Sequence, residues 1–201
     1  MIKVVSLLKK TPVTYLKYLI FRLWLKDARF KLMRIRKYLA HNDRILDIGA
    51  GAGSVCTLIQ SEGYNVTPLD IEDRTLCERI KPVIYGGDTI PYSEKSFDKA
   101  LILTVLHHTE DPERVLSEAK RVANNIVIIE DTYTNIFQRY LTYIFDSLFN
   151  FEFIGHPHSN KTDSEWKVLF RKLGLTLVDS RYDTFLLFFR QATYYLEQDS
   201  I

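Results

Sequence analysis

The chain has 201 residues, 46% of them hydrophobic and 26% charged, a balance that excludes disordered, collagen-like and coiled-coil chains and fits one domain with a modest appendage. Its two cysteines, Cys56 and Cys77, cannot build a disulfide framework and do not form a CxxC metal knuckle. The net charge of +2 conceals an asymmetry: residues 1–44 carry twelve Lys/Arg against Asp27 and Asp43, a net of +10, while the rest carries 15 basic against 23 acidic residues, a net of −8.

At the start, MIKVVSLLKKTP lacks a secretory apolar core with a cleavage site, and no apolar run reaches the roughly 18 residues of a membrane span. A soluble cytoplasmic chain is therefore expected. Thr11-Pro12 reads as a helix cap followed by the residue best tolerated at the first helical position. From there to about Leu39 the apolar spacing is helical, as one helix or two, with Leu19-Ile20-Phe21 and Leu23-Trp24-Leu25 making the first half apolar almost all round. Short apolar runs then alternate with helical stretches: strands at 44–48, 65–69, 82–85 and 99–103, and helices at 54–61, near 75–80 and from Asp111-Pro112 to about Ala123. Asn125–Ile129 reads as the most deeply buried strand. Strand–helix alternation of this kind predicts a parallel sheet with helices on both faces. Pro68 interrupts the second strand and predicts a short or bulged segment there. Residues 134–153 are rich in Phe and Tyr, as core packing or as a lid. Thr162-x-x-Glu165 predicts a capped helix ending before Gly174. Two runs, 175–181 and 184–195, have no helix between them and predict an antiparallel hairpin at one edge.

Three of the eight glycines fall within Ile45-Leu46-Asp47-Ile48-Gly49-Ala50-Gly51-Ala52-Gly53. A glycine turn between a strand and a helix lets a ligand approach the backbone closely. Asp70 ends the next strand 21 residues after Gly49, where a carboxylate can accept from ribose hydroxyls. A dinucleotide site wants a third Gly or Ala where Ser54 stands, and Asp47 would repel a pyrophosphate. The same carboxylate suits a cofactor bearing an ammonium and a sulfonium. The pattern favours S-adenosylmethionine over a nicotinamide dinucleotide.

At these residues the sequence resembles the class I S-adenosylmethionine-dependent methyltransferases, and within them the small-molecule subgroup (methyltransferase type 11-like). ILDIGAGAG is similar to the family's first motif, Asp70-Ile71 to its acidic residue after the second strand, and GDTIPYSEKSFD to its third-strand loop. Leu106–Pro112 and Arg121–Glu130 resemble the loop after the fourth strand and the turn into the fifth. Asn124-Asn125 stands where the family turns on glycine; Asn tolerates left-handed backbone. The resemblance implies a Rossmann-like fold with a mostly parallel seven-stranded sheet. It divides the chain into a basic amphipathic helical arm, residues 1–40, and a methyltransferase domain, 41–201, with an aromatic insertion at about 134–160. It also implies that Asp47, Gly49, Ala50, Gly51, Gly53, Asp70, Ile71, Asp88, Thr89 and Thr104 hold S-adenosylmethionine, with Asp88 near the adenine. His108 and His107 fall beside the reaction pocket, as a general base or as loop ties.

Methyl transfer from a sulfonium needs no metal, and His156-Pro157-His158 lacks a supporting carboxylate or Cys pattern, so no metal is expected. The loop after the fourth strand has no Asn/Asp-Pro-Pro-aromatic segment and the chain no Pro-Cys nucleophile, which argues against nucleic acid as partner. A small, apolar or lipid-like acceptor remains. The arm can pack on the sheet, cap the cofactor cleft, or lie on an anionic membrane. A binding scaffold without catalysis and a nucleotide-dependent oxidoreductase are the rival functions.

Overall fold

The computed structural model describes residues 14–133, 161–185 and 189–198. The Thr11-Pro12 cap and the aromatic segment 134–153 with its proposed insertion lie outside the described residues. Seven strands form one sheet in the order β3-β2-β1-β4-β5-β7-β6. They are β1 (Arg44–Ile48), β2 (Asn65–Asp70), β3 (Val83–Ile84), β4 (Phe97–Leu103), β5 (Ala123–Thr132), β6 (Leu175–Phe185) and β7 (Phe189–Gln198). The first five run parallel; β7 is antiparallel to both β5 and β6. The helices are α1 (Thr14–Ile35), α2 (Ser54–Ser61), α3 (Pro112–Val122) and α4 (Asp163–Lys172).

Each strand divides its side chains between two cores by its period of two. Ile45, Leu101, Leu103, Val127 and Ile129 pack under α1 and α2. Leu46, Ile48, Ala100, Ile102, Ile126 and Ile128 pack under α3 and α4, with Trp166, Phe170 and Tyr194. Both faces are therefore covered, which is why β5 reads as an unbroken apolar run. On the described part of α1 the buried apolar positions are Phe21, Leu25, Ala28, Leu32 and Ile35, alternating steps of four and three along one stripe. At about 1.5–3 kcal/mol for each large side chain removed from water, this stripe makes residues 21–35 an integral layer of the core. Helix α1 is a single helix to Ile35, followed by one 3-10 turn at Arg36–Tyr38.

Several local expectations change. Residues 75–80 form a turn: the Leu76 N–H donates to the Ala52 carbonyl at 3.1 Å, and Asp73 accepts from the Thr75 N–H. The segment is thus tied to the glycine loop, and no helix forms. Pro68 causes no bulge, since β2 keeps register with β1 through Pro68↔Asp47. Leu69 presents its carbonyl to β1 and Asp70 its carbonyl to β3, so the Pro68 nitrogen faces the β3 side, one residue before that pairing starts at Leu69↔Val83. Helix α3 passes directly into β5 at Ala123, so Asn124-Asn125 is extended strand and makes no left-handed turn. The capping box at Thr162 and Glu165 is present, with Thr162 Oγ1 accepting from the Glu165 N–H at 3.3 Å and Glu165 accepting from the Thr162 N–H at 2.7 Å. Strand β6 runs on to Phe185, past its expected end at 181, and β7 spans Phe189–Gln198, starting and ending later than the alternation at 184–195 predicts.

Candidate cofactor cleft

The carboxyl ends of β1, β2 and β4 open into a cleft of about 400 Å³, on the side of an open α/β sheet where ligands characteristically bind. Its floor is the loop between β1 and α2. Gly49, Gly51 and Gly53 all have positive φ, at 77°, 51° and 74°. A Cβ on Gly49 would stand 2.5 Å from Val105 Cγ2, and one on Gly53 2.9 Å from Ile80 Cγ2. Gly51 is different: its nearest neighbour to such an atom is the Gly49 carbonyl at 4.0 Å, so the missing side chain leaves open space at the cleft floor.

Two carboxyl groups flank this loop. Asp70, at the end of β2, accepts from the Gly51 N–H through Oδ2 and from the Ile71 N–H through Oδ1, both at 2.7 Å. Asp47, on β1, is 2% exposed and accepts from Cys56 Sγ at 3.0 Å. Burial pushes the Asp47 carboxyl up to about 6, with the Cys56 hydrogen bond and the nearby Lys31 charge pulling the other way. Burial, and the Asp47 carboxylate it faces, push the Cys56 thiol up in turn.

The opposite wall comes from the end of β4. Thr104 has φ 61°, a left-handed conformation that costs a β-branched residue about 1–3 kcal/mol. It is held there by its N–H to the Ile129 carbonyl and its hydroxyl to the Leu103 carbonyl, both at 2.6 Å. The next residues are gathered by one buried side chain. Glu130 Oε1 accepts from the N–H groups of Val105 (2.8 Å) and Leu106 (2.7 Å), while Oε2 lies 2.6 Å from His107 Nδ1. This fixes the turn that carries His108 and Thr109 into the cleft wall. From α1 come Trp24, Asp27 and Lys31. Lys31 Nζ lies 2.8 Å from Thr104 Oγ1 and 2.9 Å from Asp27 Oδ2.

Of the residues the sequence singled out, Asp47, Gly49, Ala50, Gly51, Asp70, Ile71, Thr104 and His108 line this one cleft. Gly53 lies behind it, packed on Ile80. His107 is 2% exposed and turned to Glu130. Asp88 and Thr89 are not among the lining residues: the exposed Asp88 carboxylate pairs with Arg114 at 2.7 Å. Tyr85 at the end of β3 stands in the wall instead, its hydroxyl pushed up by burial and by Asp70. Sequence reasoning missed Glu130, Tyr85, Trp24, Asp27 and Lys31. The signals were present for two of these groups: an acid closing the apolar run NIVIIE, and one of only two acids in the basic segment, paired i,i+4 with Lys31.

The donor set suits an adenosylated amino acid bearing a sulfonium. Open space over Gly51 admits backbone contact, Asp70 offers lone pairs for vicinal hydroxyls, and Asp47 is a buried acceptor for an ammonium. Comparison with known proteins agrees. Residues 46–126 match a family model described as "Methyltransferase domain". The chain is 27% identical over 143 residues, 62% of its length, to demethylmenaquinone methyltransferase of Tropheryma whipplei. It is 28% identical over 147 residues, 64% of its length, to a ubiquinone/menaquinone biosynthesis C-methyltransferase of Citrifermentans bemidjiense. The chain spans 59% and 60% of the length of these two relatives. The crystal structure of a putative methyltransferase from Bacillus halodurans superposes with a TM-score of 0.67 at 15% identity, covering 87% of this chain and 100% of that one, and it shows the same fold. Residues 46–126 thus match a methyltransferase domain, and the sheet order is that of the class I S-adenosylmethionine-dependent methyltransferase fold.

Proposed function

We propose that the protein transfers a methyl group from S-adenosylmethionine to a small, apolar or lipid-like acceptor by in-line displacement. The observation that carries this reading is the convergence of Asp47, the open floor at Gly51 and Asp70 on one cleft. When bound, the cofactor supplies a methyl group already activated by the sulfonium charge. The chain's own work is then orientation and exclusion of water, which can contribute several kcal/mol without a dedicated catalytic side chain. Asp47 binds the ammonium, Asp70 the sugar hydroxyls, and Ile71 and Tyr85 flank the base. His108 on the opposite wall stands ready to take a proton from an acidic acceptor atom. The quinones named for the two relatives support an apolar ring as the acceptor here.

The outward face of α1 supports delivery of that acceptor from a lipid surface. Leu23, Phe30 and Met33 are 63%, 47% and 59% exposed, on a face that also carries the exposed Lys26 and Arg29. None of the described helices is long and apolar enough to cross a membrane. Since deleting residues 1–40 would also remove the buried stripe of α1, flotation with anionic liposomes is tested with Leu23→Ser/Phe30→Ser; unchanged flotation would defeat the membrane contact. The methyltransferase reading is tested by calorimetry with S-adenosylmethionine and its demethylated product, followed by radiolabelled methyl transfer to demethylated quinones and a lipid extract. Absence of cofactor binding would refute the reading, and binding without labelled product would favour a non-catalytic scaffold.

A further inference from the structure

We propose that the Lys31 ammonium holds the carboxylate of the donor's amino-acid end, so that helix α1 completes a zwitterion site whose acidic half is Asp47. The inference rests on the donor reading above and adds a residue that lies outside the family-matched segment 46–126. An amino-acid terminus presents an ammonium and a carboxylate on the same carbon. A pocket end built from Asp47 and Asp27 alone would attract the first and repel the second.

Lys31 supplies the missing charge. Its side chain is only 12% exposed, and its field acts on Asp47. Of the ammonium's three N–H donors, one is taken by Thr104 Oγ1 and one by Asp27 Oδ2, which leaves the third for a ligand. The anchor is itself unusual: Thr104 holds left-handed backbone at φ 61° and offers its hydroxyl to Lys31. Strain kept at a cleft wall, with its side chain fixing a desolvated cation, is a built arrangement. The other permanent cation among the described lining residues, Arg74, is paired with Glu72, close in sequence to Asp70 and Ile71 at the sugar end. It is therefore assigned to the other end of the ligand.

The test compares two ligands on the full chain by calorimetry: S-adenosylhomocysteine, and its decarboxylated analogue that lacks only the carboxylate. Wild type should bind the first at least ~10-fold more tightly, the range of one hydrogen-bonded charge contact being about 10- to 100-fold. Lys31→Met should lose most of that factor for S-adenosylhomocysteine and change binding of the analogue by less than ~3-fold. Lys31→Arg should restore part of the discrimination. Equal weakening of both ligands in Lys31→Met would assign the residue a purely structural part and overturn the proposal. Equal affinity of wild type for the two ligands would overturn it even if the variant failed to fold. Wild type binding neither ligand would instead overturn the donor reading, and this inference with it.

Discussion

Glu130 offers the sharpest test of how the cleft is held. It is fully buried, and it is the acceptor for two backbone N–H groups and the partner of His107 Nδ1. Glu130→Ala removes the acceptor that these three groups share, two of them on the buried Leu106 and His107. Each buried donor left unpaired costs about 1–3 kcal/mol, and a cavity is added, so a total loss of about 3–5 kcal/mol is expected, a large share of an ordinary domain's 5–15 kcal/mol. Glu130→Gln keeps one oxygen for Val105 and Leu106 and turns an amide N–H₂ toward His107, which can accept it by shifting its ring proton to Nε2. That variant should lose only about 1–2 kcal/mol. Urea unfolding of the three proteins measures both values, and cofactor titration reads the coupled effect, since the turn also carries His108. A loss below about 1 kcal/mol in Glu130→Ala, or identical losses in both variants, would refute the account of Glu130 as the organiser of this wall.

Asp47 gives a pH dependence with a definite sign. Burial raises its folded value from 3.8 to about 6, so the folded chain holds this proton more tightly than the unfolded chain. Its contribution to stability is full below about pH 4 and is lost as pH rises through about 6, a total of about 3 kcal/mol. Urea stability curves of wild type and Asp47→Asn should therefore diverge by about that amount between pH 4 and pH 7, while cofactor affinity in wild type rises over the same range. Gly49→Ala must place a side chain at φ 77° and 2.5 Å from Val105 Cγ2. A loss of about 2–4 kcal/mol is expected, and adding Val105→Ala should recover the steric part only, as read by urea midpoints. His108→Ala should leave the unfolding free energy within about 0.5 kcal/mol and lower the methyl-transfer rate about 100-fold; an unchanged rate would leave orientation as the whole of catalysis.

Much of this architecture is legible in the sequence because its signals are local. Period-two runs, the glycine turn, the Thr162–Glu165 box and the Asp111-Pro112 cap each specify their own backbone, and all appear in the structure. What is not legible depends on partners distant in the chain. The helix expected at 75–80 fails because Leu76 finds Ala52. Asp88 has the spacing of a ligand contact, yet Arg114 on α3 takes its carboxylate. Glu130 and His107 sit 23 residues apart and Lys31 and Thr104 73 apart; only the folded sheet makes them neighbours. The basic helix was ambiguous for the same reason, since its stripe pattern shows that one side is buried but not which residues reach the cleft.

The position of β7 between β5 and β6 has a consequence for how the chain is made. The long ladder that pairs residues 125–132 with 190–197 joins strands far apart in the chain, so β5 is synthesised well before its partner. Until β7 docks, β5, with its apolar run at Ile126–Ile129, keeps an unpaired row of N–H and C=O groups along one side. Such an edge recruits strands from other molecules. A chain stopped short of residue 189 should therefore accumulate as aggregates or bind chaperones, and β7 acts as the seal on the nascent sheet.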